Sequence, residues 1–189
     1  ALTIFLVGSL IRFDREQYTW KSDSSQLLHP QLLRMGNVLF HVGVLGLFFG
    51  HAVGLLTPVV VWDTLGISHS FKQLIAMVAG GIMGSICLVG LLMLMVRRFG
   101  SARLSAVSTF GDKFILVWLL LTLLLGLSSI FVSAGHMDGH MMVLLMTWAQ
   151  HIVTFQTDAA SFVIDAPWIF KLHLFMGMTV FVIFPFTRL

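Results

Sequence analysis

The sequence predicts an all-α integral membrane protein, a helical bundle with five transmembrane helices. Only 10% of the 189 residues are charged and 58% are hydrophobic, whereas an ordinary soluble domain has about 25% charged residues. Windows without any charged residue recur along the chain, and most reach the roughly 20 residues that a spanning helix needs. Basic residues gather between alternate windows, as the positive-inside rule requires. These three observations together exclude a soluble globular domain.

The windows define five spans in a single domain that covers residues 1–189. The first, residues 1–11, is too short to cross a bilayer and is interpreted as the lower half of a helix, in a chain that we expect to be truncated at both ends. The other four predicted spans are residues 36–62, 73–96, 114–135 and 167–186. Pro167 is expected in the first turn of the last span, where a missing N–H does no harm.

Residues 139–157 form another uncharged stretch, but polar side chains interrupt it. His140, Gln150, His151 and Gln156 stand among methionine, leucine and tryptophan residues. This mixture predicts an amphipathic helix that lies at the membrane surface, and not a sixth span.

The distribution of lysine and arginine predicts how the bundle is oriented. With five spans, nine basic residues share one side: Arg12, Arg15, Lys21, Arg34, Arg97, Arg98, Arg103, Lys113 and Arg188. The opposite side has Lys72 and four aspartates, Asp63, Asp138, Asp158 and Asp165. We therefore expect the N-terminus outside the cell and the C-terminus inside.

Two histidines lie within the second span, where no charged residue accompanies them. His41 and His51 are ten residues apart, which is about 15 Å along a helix. The same stretch carries a line of four glycines: Gly43, Gly46, Gly50 and Gly54. Glycines on one helix face leave room for a flat group against the backbone. Because an imidazole in hydrocarbon is costly without a partner, two imidazoles at two depths predict two haems stacked across the bilayer.

His173 matches one of these two depths. The fifth span runs opposite to the second, and His173 lies about 9 Å below its outer start, level with His51 and not with His41. Facing imidazoles at one depth suit bis-histidine ligation of a b-type haem. The position that matches the depth of His41 falls towards or just past the end of this chain. The other histidines are interpreted as interfacial polar residues: His29, His69, His136, His140 and His151.

Other interpretations of the histidines stay open at this point. A histidine within a membrane can simply bond a neighbouring helix, and a non-haem transporter or membrane anchor could place histidines in a polar pathway. Cys87 is the single cysteine, so an internal disulfide is excluded. The sequence has no nucleotide-binding loop, no nucleophile with its base and no metal-binding set of carboxylates, and nothing in it indicates a nucleic-acid partner.

Local strings identify a family that the spacing alone does not. The chain resembles the gamma subunit of respiratory nitrate reductase, the membrane cytochrome b of that complex, in the strings FDREQYTW, LFHVGVLGLFFGH, GLLTP, HMDG, WAQHIVTF, FKLHLFMGMTVF and FPFTRL. The strings occur in order over nearly the whole chain. HMDG and WAQHIVTF favour nitrate reductase over a related quinol-oxidising cytochrome b of a sulfur-metabolism complex. The resemblance implies a multi-pass protein of the bacterial cytoplasmic (inner) membrane.

The resemblance implies two haem b groups and assigns their ligands. His51 and His173 would ligate the distal haem, near the periplasmic face. His41 would ligate the proximal haem near the cytoplasmic face, with the fourth ligand expected just beyond Leu189.

A quinol site is also implied, for menaquinol or ubiquinol, at Lys72, Gly50 and His51. Lys72 directly precedes the third span, and the alternative is a lysine that snorkels to the interface. Lys171 and Arg98 are candidates to pair with haem propionates. Snorkelling for Lys171, and topology or lipid phosphate for Arg98, are the competing interpretations.

The implied function is an electron path across the membrane. Quinol would be oxidised near the periplasmic face and release its protons there. Electrons would pass through the distal and then the proximal haem to an iron–sulfur beta subunit and a molybdenum-containing alpha subunit on the cytoplasmic side. The chain itself is expected to reduce no nitrate.

Overall fold

The computed structural model describes residues 1–16, 18 and 30–187. Every regular element within these residues is helical. Eight α-helices follow one another: α1 (Leu2–Glu16), α2 (Pro30–Leu56), α3 (Val59–Thr64), α4 (His69–Gly100), α5 (Ala102–Val107), α6 (Phe110–Ala134), α7 (His140–Val153) and α8 (Trp168–Ile183). Two 3₁₀ segments, Ala159–Val163 and Phe184–Phe186, lie before and after α8.

Four segments of the described chain are long and apolar enough to cross a membrane: α2, α4, α6 and the segment Trp168–Phe186 that α8 begins. Helix α1 has 15 residues and is therefore about 22 Å long, whereas the hydrocarbon core of a bilayer is about 30 Å thick. The all-α membrane class is thus confirmed with four candidate spans, and a fifth span that includes α1 stays a prediction.

The predicted second span extends too far, because α2 ends before Pro58 and the short helix α3 follows it. Proline lacks a backbone N–H and disfavours the helical conformation of the residue before it, here Thr57. Where a helix is interrupted, its last carbonyl groups lack backbone N–H donors. The side-chain amide of Gln150 in α7 donates to two of them, the carbonyls of Leu55 and Thr57, at 3.1 and 3.2 Å.

Two other spans begin earlier than the charge-free windows suggest, because polar residues cap them. The Ser68 hydroxyl accepts a backbone N–H in the first turn of α4, and Thr109 and Asp112 form a reciprocal capping box at the start of α6. His69 and Lys72 consequently lie in the first turn of α4. Lys72 is therefore part of the helix, and its predicted place just before the third span is wrong.

The amphipathic surface stretch and the last span are placed close to where the sequence predicts them. Of residues 139–157, the structure has His140–Val153 as the helix α7, so the predicted element is present but shorter. Pro167 stands at the N-cap of α8, one residue before the predicted first-turn position. The cap suits proline equally well, since its carbonyl and not its N–H takes part in the helix.

Helices α2 and α4 approach each other so closely that only glycine fits at the contact. A Cβ atom added to Gly43 would lie 2.4 Å from the backbone nitrogen of Cys87. One added to Gly90 would lie 2.3 Å from the backbone nitrogen of Phe40. Contacts through small residues are typical of packed transmembrane helices, where no hydrophobic force drives association.

The line of four glycines that the sequence shows in α2, from Gly43 to Gly54, therefore divides into two pairs. Gly43 and Gly46 pack on α4, the second against the side chain of Met83. A Cβ at Gly50 or Gly54 would meet nothing within 4 Å. The expectation that all four make room for a flat group is wrong for the first pair, since the helix rotates those positions towards α4.

The long helices form a row in chain order, α2–α4–α6–α8, with α1 along α8 and its 3₁₀ extension. Helix α7 lies across the bundle at the level where α4 begins, and it contacts α2, α4 and the segment Ala159–Val163. We call this end of the long helices the α7 end. The opposite end, where α4 ends and α5 follows, is the α5 end. A small apolar core at the α7 end contains Ala166, Ile169 and Phe170. In the described parts of the chain, α2 and α8 do not pack extensively on each other, so a gap separates the first and last helices of the row.

Candidate functional site

Two histidines face each other across the gap between α2 and α8. The ring centroids of His51 and His173 are 6.3 Å apart, and the ring planes are inclined by 41°. Imidazole–metal bonds are about 2 Å long, so one metal between two Nε2 atoms places the ring centroids roughly 6 Å apart. The structure thus brings these two predicted residues together at a spacing that suits a shared metal ion.

Backbone carbonyls orient all three predicted ligand histidines in the same way. The Nδ1 atoms lie 2.8 Å from the Asn37 carbonyl for His41, 2.7 Å from the Leu47 carbonyl for His51 and 3.1 Å from the Thr122 carbonyl for His173. A carbonyl oxygen only accepts hydrogen bonds, so each Nδ1 donates and carries the proton. In the neutral ring, Nε2 then keeps the lone pair that a metal requires.

Open space surrounds the histidine pair on both helices. Gly50 and Gly54 flank His51 on α2, and Gly177 lies one turn after His173 on α8. A Cβ added at any of these glycines would meet nothing within 4 Å. These three glycines therefore leave open space on the two helices that carry the pair, and a flat group in that space stays a prediction.

His173 rests against α6, which sequence reasoning did not connect with the site. Its Nδ1 bonds to the Thr122 carbonyl, and its ring lies so close to Gly126 that a Cβ there would be 2.9 Å from Cε1. No periodicity or spacing along the chain indicates this contact, since it depends on how α6 and α8 pack.

Lys72 is buried, with only 5% of its surface exposed. Its Nζ donates to the Gly54 carbonyl at 2.8 Å and to the Met146 sulfur at 2.7 Å, and it lies 4.9 Å from the centroid of the Trp62 ring. Within the described residues no carboxylate forms an ion pair with it. The side chain therefore does not snorkel outwards but extends to α2, less than one turn beyond His51.

Trp62 and Met146 belong to this environment, although in the sequence Trp62 is only the end of the predicted second span and Met146 is not a candidate site residue. The indole Nε1 of Trp62 is buried and has no hydrogen-bond partner among the described residues. A buried donor without an acceptor costs about 1–3 kcal/mol, which marks this N–H as a candidate contact for a bound group.

Gln73 binds the connection between α6 and α7, and α7 carries the Met146 side chain that contacts Lys72. Its amide nitrogen donates to the carbonyls of Ser133 and His136, both at 2.9 Å, and its oxygen accepts the Gly139 N–H at 3.0 Å. Gly139 has a φ of 75°, which glycine adopts without strain. The turn between α6 and α7 is thereby tied to α4, and α7 is held where Met146 reaches Lys72.

The other predicted site residues lie away from the histidine pair. His41 projects from an exposed face of α2, and its ring contacts Phe40. Lys171 donates to the Ile164 carbonyl and lines a cavity of about 590 Å³ between α7 and α8. Arg98 donates to the Ser108 hydroxyl at 2.9 Å, at the α5 end.

Comparison with known sequences identifies the family. The sequence model of the nitrate reductase gamma subunit matches residues 1–189. This chain belongs to the nitrate reductase gamma subunit family. The respiratory nitrate reductase 1 and 2 gamma chains of Escherichia coli (strain K12) are 44% and 45% identical to it, over 98% and 99% of this chain and 82% of each relative. The nitrate reductase gamma chain of Bacillus subtilis (strain 168) is 35% identical, over 100% of this chain and 84% of the relative. The family predicted from the local strings is confirmed.

The remaining histidines of this gamma subunit lie at its surface. His69 and His151 each pair with an aspartate, Asp63 at 3.0 Å and Asp158 at 2.7 Å. The His151 hydrogen bond holds the pKa of Asp158 below its ordinary value of 3.8. His136 and His140 are exposed, and His29 lies outside the described residues. Three or more His, Cys, Asp or Glu side chains that could hold a metal ion do not cluster anywhere in the described chain.

Proposed function

We propose that this gamma subunit is the membrane cytochrome b of a nitrate reductase, which oxidises quinol and passes electrons to partner subunits through two haem b groups. The observation that carries the proposal is the pair His51 and His173. Their rings are 6.3 Å apart, and both Nδ1 atoms are held by carbonyls. A haem bound there supplies one-electron transfer, while the protein supplies ligands and orientation.

The distal haem is assigned to the gap between α2 and α8. His51 and His173 would be its axial ligands, and Gly50, Gly54 and Gly177 leave the space beside them open. The fit rests on a donor set of two neutral imidazoles, which is the ligand set of b-type haems with two histidines.

The proximal haem is assigned to His41. This residue lies on the same helix as His51, about 15 Å away along the axis, and has the same bond from Nδ1 to a carbonyl. Arg12 of α1 donates to the carbonyls of Pro185 and Thr187 and so ties the chain after α8 to the bundle. The second ligand is expected just beyond Leu189.

Quinol binding is assigned to Lys72, Gly50 and His51. An ammonium group has three donors, and Lys72 uses two of them on the Gly54 carbonyl and the Met146 sulfur. The third remains for a quinol oxygen, and a charge-assisted bond of this kind is about twice as strong as a neutral one. The indole N–H of Trp62 is a further donor at the same place.

Propionate contacts are assigned to Lys171 and Arg98. Lys171 lies two residues before His173, and its Nζ donates to the Ile164 backbone carbonyl. Arg98 has a hydroxyl partner at the α5 end. Both side chains can reorient towards an anionic group, because neither is held by a carboxylate in the described structure.

The proposed orientation places the α7 end at the periplasm and the α5 end in the cytoplasm, with five spans in the bacterial inner membrane. Arg97, Arg98, Arg103 and Lys113 lie at the α5 end, which fits the positive-inside rule. Each electron that moves inwards through the protein then conserves about 2.3 kcal/mol per 100 mV of membrane potential. Protons released from quinol outside add to the same gradient.

The proposed partners lie on the cytoplasmic side. An iron–sulfur beta subunit would receive the electrons, and a molybdenum-containing alpha subunit would reduce nitrate. Support comes from the relatives, which are named as gamma chains of respiratory nitrate reductases. The basic helices at the α5 end offer a surface for an acidic partner.

The proposal is tested by spectroscopy of the full complex purified with its partner subunits. The dithionite-reduced minus oxidised spectrum should show b-type haem, with two haems per gamma subunit. His51→Ala and His173→Ala should each lose one haem, and the same one, while the other titrates normally. His136→Ala, a substitution of an exposed histidine, should keep both. An unaltered complex without b-type haem after haem-sufficient expression would contradict the proposed function.

A further inference from the structure

Helix α6 carries none of the proposed haem ligands, yet it sets the position of one. The Thr122 carbonyl accepts a hydrogen bond from Nδ1 of His173 at 3.1 Å. One turn later, Gly126 lies against the edge of the ring. A Cβ built on Gly126 would be 2.9 Å from Cε1, 3.4 Å from Nε2 and 3.5 Å from Nδ1 of His173. The edge of the imidazole that carries both nitrogens therefore rests on the backbone of α6.

The contact with Gly126 leaves no space for a larger residue unless the ring moves. A separation of 2.9 Å is shorter than carbon atoms in contact normally allow. With a larger residue at position 126, the His173 ring must move. It can tilt and keep the hydrogen bond to the Thr122 carbonyl, or rotate and break that bond. Either movement displaces Nε2, the atom that would bind the metal of the proposed haem.

One further hydrogen bond holds the register of α6 against α8. The indole Nε1 of Trp118 donates to the Met176 carbonyl at 3.2 Å, about one turn from His173. Within α6 itself, the Ser129 hydroxyl donates to the Gly126 carbonyl at 2.7 Å. Sliding of α8 past α6 would break the first bond, so the height of His173 above Gly126 is fixed.

We propose that Gly126 is the positioning residue of the distal haem: by letting the His173 ring rest on the α6 backbone, it sets the orientation of that axial ligand and thereby the reduction potential of the haem. The inference rests on the proposed function. Its chemical basis is that ligand orientation and outer hydrogen bonds tune the electronics of a bound metal. The 41° inclination of the His173 ring to the His51 ring is the geometric quantity that Gly126 controls.

The test is the substitution Gly126→Ala in the full complex, with Gly80→Ala as the control. Gly80 lies within the membrane helix α4, and a Cβ there would meet nothing within 4 Å. In Gly126→Ala the distal haem should remain bound, but its ratio of reduced to oxidised form at a fixed ambient potential should change at least tenfold, about 59 mV for a one-electron couple. Its low-spin electron paramagnetic resonance signal should shift, while the proximal haem stays unchanged. Gly80→Ala should match the unaltered complex.

Trp118→Phe provides a second variant that adds no atom against the ring. It removes the hydrogen bond to the Met176 carbonyl. The reduction potential and the electron paramagnetic resonance signal of the distal haem should both shift, by less than in Gly126→Ala. A distal haem that titrates and resonates as in the unaltered complex in both variants would overturn the positioning role. If the unaltered complex binds no haem at His51 and His173, the proposed function fails as well. Loss of the distal haem from Gly126→Ala, together with an unshifted Trp118→Phe, would show bulk intolerance and also refute the proposal.

Discussion

A lysine inside a membrane helix needs acceptors, and Lys72 finds two that carry no charge. The Gly54 carbonyl and the Met146 sulfur accept its donors, and the Trp62 ring lies on a third side. A hydrogen bond to a charged group contributes about 1.5–3 kcal/mol and a cation–π contact about 0.5–2 kcal/mol, but neither supplies a countercharge. The positive charge therefore remains available to an electron-rich oxygen that enters beside Gly54.

Replacement of Lys72 by alanine should impair electron entry without removing the cofactors. Loss of a hydrogen bond to a charged group costs about 1.5–3 kcal/mol, so reduction of the haems by quinol should slow by roughly 10- to 100-fold. Stopped-flow absorbance with a short-chain quinol measures this rate. Dithionite should still reduce both haems fully.

Lys113→Ala is the matched control, because that lysine binds the Ser105 hydroxyl at the α5 end. It should react with quinol at the normal rate. Loss of haem from Lys72→Ala would indicate a structural role for the lysine and argue against its assignment to quinol.

At the level of the helices, the pair α2 and α4 depends on two glycines. Gly43 faces the backbone of Cys87, and Gly90 faces the backbone of Phe40. A backbone atom cannot turn aside as a flexible side chain can. Even one methyl group at either position must therefore separate the helices, which shifts His51 and the Gly54 carbonyl relative to Lys72.

Gly43→Ala and Gly90→Ala should each destabilise the protein by about 1–3 kcal/mol, the usual range for an overpacked contact. Unfolding in detergent, followed by circular dichroism against denaturant, measures the change. Gly80→Ala lies on the same helix as Gly90 but meets open space, and should be neutral. Equal stability of all three variants would show that α2 and α4 separate at little cost.

The connection after α7 contains an acid-sensitive contact. The His151 hydrogen bond lowers the pKa of Asp158. A carboxyl group with a lowered pKa in the folded state adds stability above its ordinary value, and that stability is lost as the pH falls through the lowered pKa. We therefore expect residues 154–158 to become more susceptible to pepsin as the pH falls below about 3.8.

Asp158→Asn should abolish this pH dependence, because the amide cannot ionise. The change in global stability should be small, since Asp158 is exposed and exposed ion pairs contribute little. Asp138→Asn replaces an exposed aspartate before α7 and should leave the increase in pepsin cleavage at low pH unchanged. If pepsin cleavage of Asp158→Asn still increases at low pH, the pH dependence comes from another titratable group.

Sequence patterns predicted the helices better than their ends, and the histidine pair better than its surroundings. Charge-free windows reveal burial in a membrane, but the caps at Ser68 and Thr109 and the break at Pro58 are local signals within or beside them. The depth of His51 and His173 follows from counting residues along two antiparallel helices. The support from Gly126 and the unpaired N–H of Trp62 depend on contacts between distant segments, which no one-dimensional pattern contains.

For the molecule as a whole, the α7 end and the α5 end of the bundle differ in their charged residues. The α7 end holds Lys72 and the aspartates Asp63, Asp138, Asp158 and Asp165, and the α5 end holds the arginines of α4 and α5. Labelling with an impermeant maleimide tests the orientation, and the native thiol helps, because Cys87 is only 3% exposed and gives little background.

In intact spheroplasts, Asp138→Cys should react from outside and Ala106→Cys should not. Inverted vesicles should show the opposite pattern, since the two positions are exposed at opposite ends of the bundle. If both residues react from the same side, the proposed topology is excluded. If the pattern is reversed, the proposed quinol site lies near the cytoplasmic face of the membrane.

The gap between the first and last helices of the row has a consequence for biogenesis. His51 and His173 are separated by 122 residues (173 − 51), whereas α2 and α4 are neighbours in sequence and fit each other through glycine. The helical hairpin of α2 and α4 can thus assemble early during synthesis, while one half of the distal site waits for α8 to enter the membrane. If the proposed haem bridges α2 and α8, it would join the first and last long helices only after α8 has entered the membrane.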